Sequence, residues 1–153
     1  MPPFAFRLEP VLGHRKRLED AQQVVFAAAL SALQAAEAVR ADYVARRSAM
    51  HERLHKHHRE MDVAELRAAY AHCAFLDRSI VAQEVVIEQA RVKVDRERLT
   101  LIGKTQDKKV LEVLKERRRE TFEFEAATAE QLENDEINSR RYDRAATPRE
   151  NPS

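Results

Sequence analysis

His51 and His55 stand four residues apart, a spacing that puts two imidazoles on one face of a helix, where they could share a metal ion. His57 and His58 follow closely. The rest of a ligand set is missing: no Cys lies nearby, and the acids at supporting spacing are Glu52 and Glu60. A solvated, pH-sensitive helix end accounts for the cluster better than a metal site. Cys73 is the sole cysteine. It falls in an apolar row and reads as a small buried hydrophobe rather than a reactive thiol. Asp135 and Glu136 are adjacent and point to different faces of a helix, as solvated charges do. Arg117, Arg118 and Arg119, with Arg140 and Arg141, are the densest basic runs. Glu116, Glu120, Glu123 and Glu125 lie among them, so pairing within a helix outweighs nucleic-acid binding. The chain has two glycines, too few for a phosphate cradle, and no nucleophile elbow or HExxH. No catalytic, cofactor or metal residue is expected, and the chain reads as non-enzymatic.

The elements behind these residues are long helices. Of 153 residues, 44% are hydrophobic, 35% charged and only 6% aromatic, with no Trp. Such a chain cannot fill a thick core, but it can build a thin helix–helix seam. The five prolines are Pro2, Pro3, Pro10, Pro148 and Pro152, so nothing between Val11 and Thr147 is proline. A helix-interior proline costs about 3 kcal/mol, and its absence from a span rich in Ala, Leu, Arg, Glu and Gln favours nearly unbroken helix. From residue 66 to 142 the pattern is clearest. Leu66, Cys73, Ile80, Ile87, Val94 and Leu101 recur every seven residues, and Ala69, Leu76, Gln83 and Ala90 fill the position three residues on. This is the seam of a left-handed coiled coil.

Upstream, a first helix starts near Pro10, a residue tolerated in a first turn. Its expected seam is Val11, Leu18, Val25, Ala32 and Val39, with Ala29, Ala36, Tyr43 and Met50 as the companion row. Asp62 reads as an N-cap with Glu65 as its capping-box partner. The expected organisation is all-α: one two-helix antiparallel coiled-coil hairpin over residues 1–144. Its helices cover about 9–58 and about 63–143, the turn about 59–62, and a flexible tail 145–153. The first helix offers about 75 Å and the second about 120 Å at 1.5 Å per residue. Either about 45 Å of the second helix overhangs, or residues 63–79 form a short extra helix at the turn. A bend or break near residues 73–83 is the favoured reading. Past Leu101 the register is expected to change, since Gly103, Lys104, Lys108 and Lys109 interrupt the rows. These resume as Leu111, Leu114, Phe122, Ala126, Ala129, Leu132 and Ile137.

The formal net charge is +1, from 27 basic and 26 acidic residues. That balance argues against a dedicated nucleic-acid or membrane-surface protein. No apolar run approaches the ~20 residues of a membrane span. No secretory h-region opens the sequence, and a lone Cys fits a reducing cytoplasm.

Both ends then carry a resemblance. The start reads Phe4-x-Phe6-Arg7-Leu8, then Val11-Leu12, Arg15 and Glu19. The far end reads Leu111, Leu114-Lys115-Glu116-Arg117, then Glu130 and Asp135-Glu136. Tyr70, Leu76 and Ile80 lie between. Over nearly its whole length the chain resembles the FliJ family of bacterial flagellar export proteins. The resemblance implies a hairpin similar to the central stalk of rotary ATPases, with both termini inside the hexameric ring of the export ATPase. It also implies contact with the cytoplasmic domain of the export gate and an escort role for export chaperones. Such a protein is cytoplasmic and peripherally associated with the inner membrane through the export apparatus. For the ATPase, the expected residues are Phe4, Phe6, Arg117, Arg118, Phe122 and Arg140. For the gate, the family's i, i+4, i+7, i+11 stripe falls on His72, Leu76, Ser79 and Gln83. Alternatives are the stalk of a virulence type III secretion system, or a general coiled-coil scaffold. A stalk should be a monomeric hairpin, whereas a scaffold should form a stable intermolecular coil.

Overall fold

A computed structural model of the chain describes residues 2–146. Two helices, α1 (Glu9–His57) and α2 (Val63–Ala146), make up 92% of these residues. No strand occurs among them, and the fold is an all-α helical hairpin.

The helix ends follow local chemistry. The Glu9 N–H donates to the Phe6 carbonyl at 3.0 Å and the Leu12 N–H to the Leu8 carbonyl at 2.9 Å. Pro10 sits in the first turn, where its missing N–H leaves no bond unmade. His55, Lys56 and His57 occupy the last turn of α1, a favourable place for positive charge. After a short turn, the Asp62 carboxylate accepts the Glu65 N–H at 2.8 Å while the Glu65 carboxylate accepts the Asp62 N–H at 3.2 Å. This reciprocal capping box starts α2. From there α2 runs without interruption. The bend or break expected near residues 73–83 is absent, and so is a short extra helix at the turn. Cys73, Leu76 and Ile80 are buried at unbroken 3–4 spacing, and the segment holds neither Gly nor Pro to interrupt it. Ala145 and Ala146, assigned to the tail, belong to α2. The remainder of that tail, 147–153, and Met1 lie outside the described residues.

Tertiary contacts divide the chain into two compact units, Lys16–Gln106 and Met1–Arg15 with Asp107–Ser153. In the first, α2 contributes Ala69, Cys73, Leu76, Ile80, Ile87 and Val94, all buried, with Gln83 and Ala90 half-buried. Against the turn, Leu54, Ala69 and Cys73 form a cluster covered by Met50, Met61 and Leu66.

The α1 side departs from the sequence reading. Leu18, Val25 and Val39 are 39–42% exposed, and Ala32 is exposed too. The row that packs is Ala29, Ala36, Tyr43 and Met50, alternating with Phe26, Leu33, Arg40, Arg47 and Leu54. The expected companion row is therefore the seam, and its alternate positions include charged residues. These residues find partners on α2. Gln22 Nε2 donates to the Glu97 carboxylate at 2.6 Å and the Glu97 carbonyl at 3.2 Å. Gln83 Nε2 donates to the Ala36 carbonyl at 2.9 Å. Arg40 pairs with Glu84 at 2.9 Å and Arg47 with Asp77 at 3.1 Å. Satisfied in this way, a polar residue can hold a seam position that an apolar count assigns elsewhere.

In the second unit the chain before α1 lies on the distal part of α2. Phe6 and Leu111 are buried. Glu9 pairs with Lys115 at 2.8 Å, and Arg15 with Asp107 at 3.6 Å. The register does not change after Leu101. Lys104, Lys108, Leu111 and Lys115 continue the 3–4 rows of α2 and are half-buried or buried. Lysine stems cover apolar surface while their ammonium groups reach out. Residues 127–146 are exposed throughout, so Ala129, Leu132 and Ile137 continue no packed row.

Candidate partner-binding surfaces

The residues expected to meet an ATPase all fall in the unit built from residues 1–15 and 107–153. The structure brings two of them together by packing. Phe4 and Phe122 stack tilted, with ring centroids 5.6 Å apart and planes at 50°. The ring pair fixes the lead segment onto α2 and adds ~0.5–1.5 kcal/mol beyond its buried area. Phe6 is 8% exposed, so most of its ring is spent anchoring the lead. Arg117, Arg118 and Arg140 lie on exposed turns of α2. Arg140 pairs with Glu136, and Arg119 with Glu123 at 3.0 Å. The hydrogen bond that Arg119 donates to Glu123, then the charges of Glu123 and Glu116, hold the Arg119 guanidinium above its ordinary range. Arg117 and Arg118 have no ion pair with an acid among the described residues and present free cations. Sequence reasoning missed Phe124, which is 73% exposed two residues after Phe122 on α2. An apolar ring in the acid-flanked run from Glu123 to Glu125 was the available signal.

The expected gate stripe lies in the Lys16–Gln106 unit, and its four residues do not share one exposed face. Leu76 is fully buried in the seam, and the Gln83 amide is held by the Ala36 carbonyl. The stripe as carried over is therefore corrected at these two positions. The exposed residues here are His72, Phe75, Ala82 and Val86, with Ser79 half-buried among them, again at 3–4 spacing. His72 stacks on Phe75, centroids 6.2 Å apart and planes at 18°. Phe75 is 52% and Val86 46% exposed. The Ser79 hydroxyl donates to the Phe75 carbonyl at 2.8 Å, which spares the row an unmet polar group.

The two edges of this unit's seam differ in kind. One edge carries the ion pairs Glu37–Arg91, Arg40–Glu84 and Arg47–Asp77, with Arg98 over the Phe26 ring at 5.8 Å. A groove lined by Glu37, Arg40, Glu84, Glu88 and Arg91 follows that edge, open to solvent. The other edge carries Leu18, Val25, Ala32 and Val39 from α1. Part of α1 is more apolar than the sequence reading allowed. An 18-residue window has a mean hydropathy of 1.4 and is 11% buried, long and apolar enough by composition to cross a membrane. His51 and His55 are exposed, and no cluster of three metal-ligating residues occurs among the described residues.

A sequence model of the flagellar FliJ protein family matches residues 4–147. The chain belongs to the FliJ family. The matched span takes in both the Phe4–Phe122 pair and the His72–Val86 row. No curated protein and no solved structure matches the chain. As a FliJ family member, the chain is a flagellar export-related protein built on a coiled-coil hairpin.

Proposed function

We propose that this chain acts without catalysis, as a stalk and adaptor between the hexameric export ATPase and the cytoplasmic domain of the export gate, and as an escort for export chaperones. In this reading it works at the cytoplasmic side of the inner membrane, held there peripherally by the export apparatus. The observation that carries it is the family match over residues 4–147 on a chain whose distal α2 lies exposed. Residues 127–146 are helical and exposed throughout. An arm of that kind can stand inside a ring, where charges meet the ring wall and few apolar contacts lock it. Arg117, Arg118, Phe124 and Arg140 face the ATPase, with Phe4 and Phe122 holding the lead in place. His72, Phe75 and Val86 face the gate.

The test is stimulation of the export ATPase's assembly and turnover by purified protein. Arg117→Glu with Arg118→Glu should abolish stimulation while leaving helical content and melting temperature nearly unchanged. Arg46→Glu, near the turn, should leave stimulation intact. Full stimulation by the double reversal would remove this end from the ring and put a general scaffold role ahead.

A further inference from the structure

α1 carries two apolar seams, and its packing on α2 uses one. The second consists of the exposed row Leu18, Val25, Ala32 and Val39, with Ala21, Ala28 and Ala35 between. Its steps alternate three and four over about 30 Å of helix. No charged residue lies between Asp20 and Glu37. All of it belongs to the Lys16–Gln106 unit.

We infer that this face binds a second copy of the chain, the two α1 helices pairing antiparallel about a two-fold axis beside Ala28. The spacing is that of a face made for another helix, and its small residues permit close approach. A helix adapted to lie on a lipid surface would carry Trp, Phe or Leu there, with Lys and Arg along its margins; this face is Ala and Val apart from Leu18, with Arg17 at one end alone. A two-fold contact must be self-complementary, and the row is nearly so when reversed. Leu18 meets Val39, Val25 meets Ala32, Ala21 meets Ala35, and Ala28 meets itself, so each valine beside the centre faces an alanine. The ends are also matched. Arg17 flanks the row at one end and Asp42 continues it at the other. An antiparallel partner brings Arg17 of each copy towards Asp42 of the other, whereas a parallel one sets like charges together. Asp42 already holds Arg46 at 3.0 Å, an exposed pair that leaves a carboxylate oxygen for a second cation. A strip this short and alanine-rich buries less than the ~1,600 Å² of a standard interface. The pair therefore dissociates on dilution, and a single copy remains free to act as a stalk.

Sedimentation equilibrium of the full chain over a range of concentrations should show a reversible monomer–dimer step. Ala28→Glu sets two carboxylates at the axis and should weaken it at least tenfold with unchanged helical content. Gln34→Glu, off this face, should not. In a Cys73→Ala background, Ala28→Cys should give a disulfide-linked dimer under mild oxidation, and Gln34→Cys should not. A monomer at every concentration, or equal effects of Ala28→Glu and Gln34→Glu, would overturn the proposal. So would binding to phosphatidylcholine–phosphatidylglycerol vesicles that Ala28→Glu abolishes, without any dimer.

Discussion

Gly103 lies inside α2, and a Cβ built there meets nothing within 4 Å. Its φ is not positive, so no conformational reason for glycine exists at this site. Gly103→Ala should raise stability by about 0.5–1 kcal/mol, because alanine loses less backbone entropy on folding. Urea denaturation read by circular dichroism checks it; a loss would mean that the backbone at this position departs from regular helix. Asp62 shows the reverse case, a residue whose local role is fully legible. Its side chain and that of Glu65 meet each other's N–H groups, and the sequence pattern alone named both partners. Capping depends on residues three apart in one chain, so nothing distant can overrule it.

At the scale of the element, the two helices were not equally readable. α2 has one row in which apolar residues recur every seven positions, so its period points to a single seam even though Phe75, Val81 and Val86 lie exposed outside it. α1 has apolar residues on two adjacent rows, and counting hydrophobics favours the wrong one. The structural register makes a contrast in stability. Leu76→Ala should cost about 2–5 kcal/mol, since the side chain is fully buried. Val39→Ala should cost no more than about 0.5 kcal/mol. Measured at a concentration where the chain is monomeric, comparable losses at both positions would restore the row containing Val39 to the seam. The Leu76 result also bears on the gate: a partner that docks on the intact hairpin cannot touch a side chain with no exposed surface.

For the whole molecule, ion pairs are numerous but exposed. Arg40–Glu84, Glu37–Arg91 and Lys115–Glu9 join the two helices with side chains 37–57% exposed. Exposed pairs contribute about 0–1 kcal/mol each and weaken with salt. With 27 basic and 26 acidic residues, no net field opposes that loss or adds to it. Raising NaCl from about 0.05 to about 1 M should therefore lower the melting temperature by less than about 5 °C. Leu76→Ala should lower it more. A larger salt effect would make the pairs, rather than the apolar seam, the chief support of the hairpin.

The sequence by itself determined the helices, their capped turn, the α2 seam and the family resemblance. Each rests on short-range patterns: proline placement, a three-residue capping interval, a seven-residue repeat. Only the tertiary structure decided which row of α1 packs, that α2 passes unbroken through residues 73–83, and that Phe6 is inside. Those outcomes depend on what lies across the seam. Gln22 is acceptable there because Glu97 receives its amide, and Arg47 because Asp77 stands opposite. A polar side chain in an interface is costly alone and tolerable when paired, and the partners sit 75 and 30 residues away in the chain. Periodicity measures each helix separately, so it ranks rows by their own hydrophobicity. The register is chosen by the pair, which left the more apolar row of α1 facing outward.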